Sequence, residues 1–156
     1  MIPRVGNGFD IHPFSADPSR RLVLGGVRLD GPGLAGHSDA DVIAHAVTDA
    51  LLGAAGLGDI GSWYSDTDPA LSGADSMVML AGAVAEVSAR YQIGNVDVTV
   101  VAESPKIAPH REEMQRRLSD VVGAPVSVKG KRAESLGAIG RREGIACFAV
   151  AVIVAR

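Results

Sequence analysis

The apolar segment from Ile145 to Val154 is the feature that most constrains the fold. Every residue in it is apolar, and a strand of this kind is typically covered on both faces. Only 4% of the residues are aromatic, so Val, Leu, Ile and Ala have to supply the core. A chain of 156 residues with few large side chains has little material to cover both faces of a sheet. We therefore expect a partner subunit to cover one face of this strand.

The other predicted elements do not alternate strictly between strand and helix. Strands are predicted at 4–12, 22–29, 96–101, 126–129 and 145–154, and helices from Ser38 to a stop at Gly56 and at 75–91 and 109–122. Ser38 is the predicted N-cap of the first helix, and 59–73 and 130–144 are predicted loops. This order predicts an α+β protein with sheet and helix layers, and no repeat or linker divides residues 1–156 into more than one domain.

Bulk properties exclude several classes of function. A net charge of -3 argues against a general nucleic-acid-binding protein. Cys147 is the only cysteine, so no internal disulfide can form, which suits a reducing compartment. No apolar run reaches the ~18 residues that a membrane span needs, and residues 1–8 lack the apolar core of a signal peptide. We expect a cytoplasmic protein without nucleic-acid or membrane partners.

Asp10, His12 and His45 form the first set of residues with chemical potential. Asp10 and His12 are two residues apart on a predicted strand, so their side chains share a face, and His45 lies on a predicted helix. Three nitrogen or oxygen donors are the usual protein contribution to a catalytic zinc site with one open position. Asp41, one helical turn before His45, is placed to orient its ring. The same residues also fit two core histidines and a turn aspartate, and spacing alone leaves both interpretations open.

Two loops have features that suit an anionic ligand. Residues 102–109 follow a strand, precede a helix and include Lys106, so backbone amides and one cation can face a ligand there. Residues 130–134 and 140–144 concentrate cations in an acidic chain, and Glu134 adds a carboxylate for a divalent ion. Ordinary strand-to-helix connections and solvated loops account for the same residues. The carboxylates of Asp59 and of 66–68 suit sugar hydroxyls, or they only make turns.

An ordered series of short motifs runs along nearly the whole chain, and it resembles the family of 2-C-methyl-D-erythritol 2,4-cyclodiphosphate synthases. The motifs are Gly8-Phe9-Asp10-Ile11-His12, Gly36-His37-Ser38-Asp39-Ala40-Asp41, His45-Ala46-Val47-Thr48-Asp49-Ala50-Leu51, Leu57-Gly58-Asp59-Ile60-Gly61, Asp66-Thr67-Asp68-Pro69, Gly94-Asn95-Val96-Asp97, Pro105-Lys106 and Arg142-Glu143-Gly144-Ile145-Ala146. Each motif alone is weakly specific, whereas their order is highly specific.

The resemblance implies an architecture and two metal ions. A mixed four-stranded sheet would pack against helices on one face, in a homotrimer whose sheets face the central axis and whose active sites lie between subunits. Zn²⁺ or another divalent ion would bind Asp10, His12 and His45, and Mg²⁺ or Mn²⁺ on Glu134 would bridge a diphosphate.

The resemblance also implies roles for other residues. His37 and Arg132 would be catalytic, the first holding the reacting phosphate region and the second stabilising the transition state. Asp59 would contact the ribose, 64–68 would form a flap over the methylerythritol, 102–108 would hold the cytosine and 131–134 would contact the cytidine phosphates. The implied substrate-binding residues are Ser38, Asp59, Ile60, Gly61, Tyr64, Ser65, Asp66, Thr67, Asp68, Ala102, Glu103, Ser104, Pro105, Lys106, Ile107, Ala108, Lys131, Ala133, Ala138 and Arg141.

The chain departs from the family pattern in the second half of this site. Lys131, Arg132 and Ala133 stand where the family commonly has threonines, so hydroxyls that steady the diphosphate are replaced by charge. Arg142 stands where the family commonly has glycine, and Ala138 stands where a bulky apolar residue is common. These departures concern nucleotide affinity and any apolar ligand of a central trimer cavity, and they leave the three predicted zinc ligands unchanged.

The implied reaction is an intramolecular phosphoryl transfer that releases CMP. The 2-phosphate of 4-diphosphocytidyl-2-C-methyl-D-erythritol 2-phosphate attacks the β-phosphorus of the same molecule and closes a cyclic diphosphate. Two unit charges ~4 Å apart repel by ~4 kcal/mol at an effective dielectric of ~20, so the protein must supply positive charge and ring-closing geometry rather than a nucleophile. The alternatives are a zinc phosphohydrolase, in which water attacks, and a non-catalytic trimer that binds a nucleotide or an isoprenoid phosphate.

Overall fold

A four-stranded mixed sheet with helices against one face forms the centre of the molecule. The structure is a computed structural model that describes residues 1–156. The strands are β1 (Arg4–Pro13), β2 (Leu22–Leu24), β3 (Val27–Leu29), β4 (Tyr91–Val101), β5 (Val126–Lys131) and β6 (Gly144–Ala155). The helices are α1 (Val42–Ala55), α2 (Ile60–Trp63), α3 (Ser76–Ser88), α4 (Arg111–Val122) and α5 (Gly137–Gly140), with 3₁₀ turns at Pro69–Leu71 and Ala108–His110. The predicted α+β class is confirmed.

The strand order places three strand ends along one edge of the sheet. The order is β1-β6-β4-β5, with β6 antiparallel to both neighbours and β4 parallel to β5. His12 pairs with Ile145, Val101 pairs with Ala146, and Val101 also pairs with Lys131. The carboxyl ends of β1, β4 and β5 therefore lie at the same end of the sheet. Three strand spacings separate β1 from β5, which is about 14 Å.

The backbone of α1 packs directly on β1 because β1 carries glycines where the two elements touch. A Cβ atom at Gly8 would lie 1.9 Å from the carbonyl oxygen of Ala46, and one at Gly6 would lie 2.1 Å from that of Ala50. Burial alternates along β1, so Gly6, Gly8, Asp10 and His12 share the face that meets the helix. The glycines thus bring the helix close enough for its first turn to meet Asp10 and His12.

The opposite face of the sheet is apolar and uncovered in the single chain. Val5, Phe9 and Ile11 of β1 and Phe148 and Val150 of β6 are each at least 44% exposed. The rings of Phe9 and Phe148 pack together with their centroids 5.0 Å apart. Helices therefore cover one face of the sheet, as predicted, and the other face presents apolar side chains to the outside. No helix is both long enough and apolar enough to span a bilayer.

The segment 22–29 corrects the prediction of a single strand. It forms a hairpin of β2 and β3, because Gly25 and Gly26 both adopt positive φ in the turn between them. The carboxylate of Asp41 accepts the N–H groups of both glycines, at 2.9 and 2.7 Å, and so ties the hairpin to the start of α1.

Asp41, not Ser38, is the N-cap of α1. Its carboxylate accepts the N–H groups of Ile43 and Ala44, each at 3.1 Å, and the helix begins at Val42. Burial raises the pKa of the Asp41 carboxyl to about 6 against the opposite effect of its backbone N–H donors. The predicted orientation of His45 by Asp41 is therefore wrong, since the carboxylate is engaged by backbone N–H groups.

Other element boundaries also shift. α3 ends at Ser88, and β4 begins at Tyr91 rather than at 96, with an irregularity of register between Ile93 and Asn95. β5 extends to Lys131, and the predicted loop of 130–144 contains the short helix α5. These differences lie in segments with weak periodicity, where pairing with neighbouring strands decides the structure.

Gly8→Ala tests whether the close α1–β1 contact is required for stability. We expect the free energy of unfolding to fall by about 3 kcal/mol, because the new methyl group overlaps the α1 backbone. The matched control is Gly53→Ala in α1, whose Cβ would meet only the Asn7 carbonyl oxygen at 3.8 Å. It should gain about 0.5–1 kcal/mol from helix propensity. Urea unfolding in the presence of a chelator measures both, and equal stabilities of the two variants would contradict the packing argument.

Candidate metal centre and active site

Asp10, His12 and His45 converge where β1 ends and α1 begins. Asp10 Oδ2 lies 2.9 Å from His12 Nε2 and 3.1 Å from His45 Nδ1. One donor atom from each of the three residues lies within 4.8 Å of the others. Two ligands come from a strand and one from a helix, so the backbone holds all three in place. The structure thus favours a metal-ion site over two unrelated core histidines.

The second ring nitrogen of each histidine has its own partner. His12 Nδ1 lies 2.8 Å from the carbonyl oxygen of Ala35, which can only accept, so Nδ1 donates and Nε2 carries a lone pair. That Nε2 atom is buried, lies 2.9 Å from Asp10 Oδ2 and has no hydrogen-bond donor to pair with its lone pair. His45 Nε2 lies 2.8 Å from Ser76 Oγ, and its Nδ1 faces Asp10. An unsatisfied buried nitrogen beside a carboxylate and a second imidazole fits a divalent ion such as zinc.

The charges within the triad favour a cation among its three donors. Burial alone would raise the pKa of Asp10, but its close contacts with His12 and His45 lower it below its ordinary value. Burial alone would lower the pKa of His12, but the nearby charge of the Asp10 carboxylate raises it above its ordinary value. A bound cation and a proton therefore compete for His12.

The triad lies in a pocket of about 300 Å³ that also holds much of the predicted site. The lining residues that the sequence predicted are Asp10, His12, His37, Ser38, His45, Ile60, Gly61, Tyr64, Ser65 and Asp66. Leu71 and Met79 line the pocket too and were missed. The hydroxyl of Tyr64 donates to the carbonyl oxygen of Met79 at 2.9 Å, which holds the start of the flap against α3. No sequence motif marks Leu71 or Met79, because both look like ordinary apolar packing residues.

The remaining residues of the predicted sugar-binding segment serve local structure and do not line the pocket. Asp59 is the N-cap of α2 and accepts the N–H of Ser62 at 2.8 Å. Asp68 caps the following 3₁₀ turn through the N–H of Ala70, and Thr67 bonds the hydroxyl of Ser65 at 2.8 Å. His37 Nε2 lies 2.5 Å from the carbonyl oxygen of Asp68 and so ties the flap to the pocket wall.

The predicted nucleotide and magnesium residues form a second group at the other side of the same sheet edge. Glu103 links the two loops, since its carboxylate accepts the N–H of Ser135 at 3.2 Å and lies 3.4 Å from Arg132 Nη2. These two donors lower the pKa of Glu103, the Ser135 N–H contributing most. Glu134 and Ser135 both adopt positive φ, a strained conformation that the Glu103 contact helps to hold.

None of the residues predicted to bind the nucleotide lines the triad pocket. These residues are Ala102, Glu103, Ser104, Pro105, Lys106, Ile107, Ala108, Lys131, Arg132, Ala133, Glu134, Ala138 and Arg141. Arg141 instead pairs with Glu143 at 2.7 Å. A single chain thus separates the predicted site into two groups, one at the end of β1 and one at the ends of β4 and β5.

The fold and the site define an α+β protein with three clustered donors that could hold a metal ion, in a pocket at one end of its sheet. A family model described as the YgbB family matches residues 3–154, and the chain belongs to this family.

Curated relatives and solved structures agree with this assignment. The 2-C-methyl-D-erythritol 2,4-cyclodiphosphate synthase of Edwardsiella ictaluri is 50% identical over 156 residues, covering 97% of this chain and 98% of the relative. The bifunctional enzyme IspD/IspF of Anaeromyxobacter dehalogenans is 51% identical over 153 residues, which are 96% of this chain and 39% of the relative. The chain therefore spans about two fifths of the length of such bifunctional relatives. The structure of IspF from Plasmodium falciparum in a CDP complex is 36% identical, with a TM-score of 0.86, covering 99% of this chain and 97% of that chain.

The raised pKa of His12 predicts how the metal-free protein responds to pH. The stabilisation from the His12–Asp10 pair is fully present below the ordinary histidine pKa of about 6.5 and is lost as pH rises through the raised folded value. Urea unfolding of metal-free wild type and His12→Asn should therefore differ most at about pH 5.5 and least at about pH 8.5. His110→Asn, on a surface turn, is the control. A wild-type advantage that grows with pH would contradict the assignment.

Proposed function

We propose that the chain converts 4-diphosphocytidyl-2-C-methyl-D-erythritol 2-phosphate to 2-C-methyl-D-erythritol 2,4-cyclodiphosphate and CMP, as a phosphorus–oxygen lyase of non-mevalonate isoprenoid biosynthesis. The observation that carries the proposal is the convergence of Asp10, His12 and His45 in one pocket with His37 and Ser38. The Edwardsiella ictaluri synthase, which this chain matches at 50% identity along nearly its whole length, supports the same activity. No observation favours the non-catalytic alternative.

The donor set indicates what the metal centre contributes. Zinc held by Asp10, His12 and His45 would supply a fixed dication that offsets phosphoryl charge, and Glu134 would suit Mg²⁺, which is commonly held by one or two carboxylates together with substrate phosphates. The chain's own residues do the rest. His37 and Ser38 line the same pocket as the triad, so they are placed to bind the attacking phosphate and align it with the β-phosphorus.

The flap is the part of the pocket that favours cyclisation over hydrolysis. Tyr64, Ser65 and Asp66 line the pocket, and the hydrogen bond from His37 to the Asp68 carbonyl oxygen ties the segment to the pocket wall. A closed flap excludes water from the reacting phosphorus, so the substrate's own phosphate is the nearest nucleophile.

Arg132 and Lys131 supply charge at the second group, in the place of the family's threonines. Arg132 Nη2 lies 3.4 Å from the Glu103 carboxylate, which keeps this exposed guanidinium near the strand ends. We infer that this group binds the cytidine diphosphate part of the substrate, with 102–108 around the cytosine. The CDP complex of the Plasmodium falciparum relative supports a ligand of this class.

We further infer that the working form is a homotrimer whose sheets face a central axis. The exposed apolar face formed by Val5, Phe9, Ile11, Phe148 and Val150 suits burial against other copies of the chain. In a cyclic trimer each interface joins two different surfaces, so the metal triad of one subunit can meet the second group of its neighbour. This arrangement accounts for a site that the single chain leaves in two parts.

The direct test is incubation of the zinc-loaded protein with the cytidyl substrate and Mg²⁺ in ¹⁸O-labelled water, followed by phosphorus NMR and mass spectrometry. Cyclodiphosphate and unlabelled CMP in equal amounts are expected. Label in CMP or in a linear product would show a phosphohydrolase, and the absence of turnover would overturn the proposed activity.

Subunit complementation tests whether the two groups act together across an interface. His45→Ala removes a metal ligand and Glu134→Gln removes the second carboxylate, so each homotrimer should keep only a small residual activity. Mixed trimers, isolated with two affinity tags, contain two copies of one variant and one copy of the other. In either composition, one of the three interfaces joins an intact triad to an intact Glu134. They should recover about one third of wild-type activity. Mixed trimers that stay inactive would place the whole site within one chain.

The Glu134→Gln variant also separates the two metal sites. We expect the Mg²⁺ concentration for half-maximal activity, measured on whatever residual turnover remains, to rise about tenfold or more. Bound zinc, measured by elemental analysis, should stay at the wild-type level because Glu134 lies outside the triad. Glu112→Gln, in the first turn of α4, is the matched control. An unchanged Mg²⁺ titration would contradict the role of Glu134.

A further inference from the structure

We propose that Glu103 is a positioning residue, which holds the turn at 133–136 in a strained conformation and thereby sets the affinity of the second group for a cytidine diphosphate. The inference rests on the proposed binding of the cytidine diphosphate part of the substrate by this group. It gives Glu103 a role other than the direct substrate contact that the resemblance implies. Glu103 lies just after the end of β4, and the turn lies just after the end of β5.

The turn contains two residues in a conformation that L-amino acids rarely adopt. The φ angle is +54° at Glu134 and +59° at Ser135, and the N–H of Leu136 donates to the carbonyl oxygen of Ala133 at 3.0 Å. Positive φ at both central residues is characteristic of type I′ turns, where glycine, asparagine and aspartate are the usual residues. Glutamate and serine stand here instead, so the turn needs support from other parts of the chain.

Glu103 supplies much of that support. Its side chain is only 3% exposed, and its Oε1 atom accepts the N–H of Ser135 at 3.2 Å. Its Oε2 atom lies 3.4 Å from Nη2 of Arg132, directly before the turn. The backbone of α5 also packs on Ser135, since a Cβ atom at Gly140 would lie 2.2 Å from the Ser135 carbonyl carbon. Two separate segments therefore fix the backbone of Ser135.

The turn carries residues of the proposed diphosphate site. Glu134 is one of its two strained residues, and Lys131 and Arg132 lead into it. When only a fraction of the molecules holds the binding conformation of a loop, the apparent Kd rises in inverse proportion to that fraction. A turn that is held in place before the ligand arrives avoids this loss of affinity.

Charge and positioning predict opposite effects for Glu103→Ala. Removal of a carboxylate beside Arg132 makes the second group more positive, so electrostatics alone predicts tighter binding of anionic CDP. Loss of the bond to the Ser135 N–H frees the turn, so positioning predicts weaker binding. The Kd for CDP should rise about tenfold if about one molecule in ten keeps the turn. Titration calorimetry of the folded, full-length, zinc-loaded protein with CDP and Mg²⁺ measures this Kd.

Substitutions at Ser135 test whether Glu103 acts through the strain of the turn. Glycine adopts positive φ without steric cost, so Ser135→Gly lets the turn form with less support. Ser135→Ala is the matched control, because alanine keeps the steric cost. Glu103→Ala should raise the Kd for CDP about tenfold in the wild-type and Ser135→Ala backgrounds, and less than about threefold in the Ser135→Gly background.

Amide hydrogen exchange of the ligand-free protein gives a readout that does not depend on binding. Exchange in peptides that span 133–136, followed by mass spectrometry, should be about tenfold faster or more in Glu103→Ala, because the Ser135 N–H loses its acceptor. Glu103→Gln keeps an acceptor oxygen at the same reach. It should exchange at close to the wild-type rate and bind CDP within about threefold of wild type.

Each outcome decides the proposal. Unchanged or tighter CDP binding in Glu103→Ala overturns it, and so does an equal loss in all three backgrounds, which would mean that Glu103 contacts the ligand itself. Unchanged exchange at 133–136 overturns it as well. Should Glu103→Ala fail to fold, Glu103→Asp, with a carboxylate set back by one methylene group, goes through the same comparisons. Failure of wild type to bind CDP would refute the proposed nucleotide site, whereas the exchange comparison would still show whether Glu103 holds the turn.

Discussion

The contact between the backbones of α1 and β1 is the constraint on which the site depends. Gly6 and Gly8 leave no side chain between the two elements, so the helix lies against the strand along the face that continues into Asp10 and His12. His45, in the first turn of α1, therefore meets both residues. The metal ligands need no special loop, because the same packing that forms the core brings them together.

Charge and distance support the proposed role of a second copy of the chain in the reaction. The substrate carries several negative charges that must meet, and the triad alone offers one cation site. The other cationic residues lie at the ends of β4 and β5, about 14 Å across the sheet edge from β1. The exposed apolar face of the same sheet is suited to bring in a neighbour. The same sheet therefore carries both the proposed site residues and the apolar face that suits contact with a neighbouring subunit.

Several parts of the fold and site were predictable from local patterns. The apolar run of β6, the paired spacing of Asp10 and His12, and the apolar face of the α1 segment all have local physical causes that operate within a few residues. The hairpin at 22–29 was missed because a strand pattern does not reveal that Gly25 and Gly26 turn the chain. The role of Asp41 was misjudged because its N–H partners at Gly25 and Gly26 are distant in sequence.

By itself, the sequence determined the elements and the kinds of donor that the chain possesses, because periodicity and side-chain chemistry are local properties. Only the tertiary structure decided which residues meet. In the folded chain Ser76 of α3 lies next to His45, and Asp59 is the N-cap of α2. Glu134 lies outside the pocket that holds the triad. Those outcomes depend on how strands pair and helices pack across long stretches of chain, and no short-range pattern encodes the resulting distances.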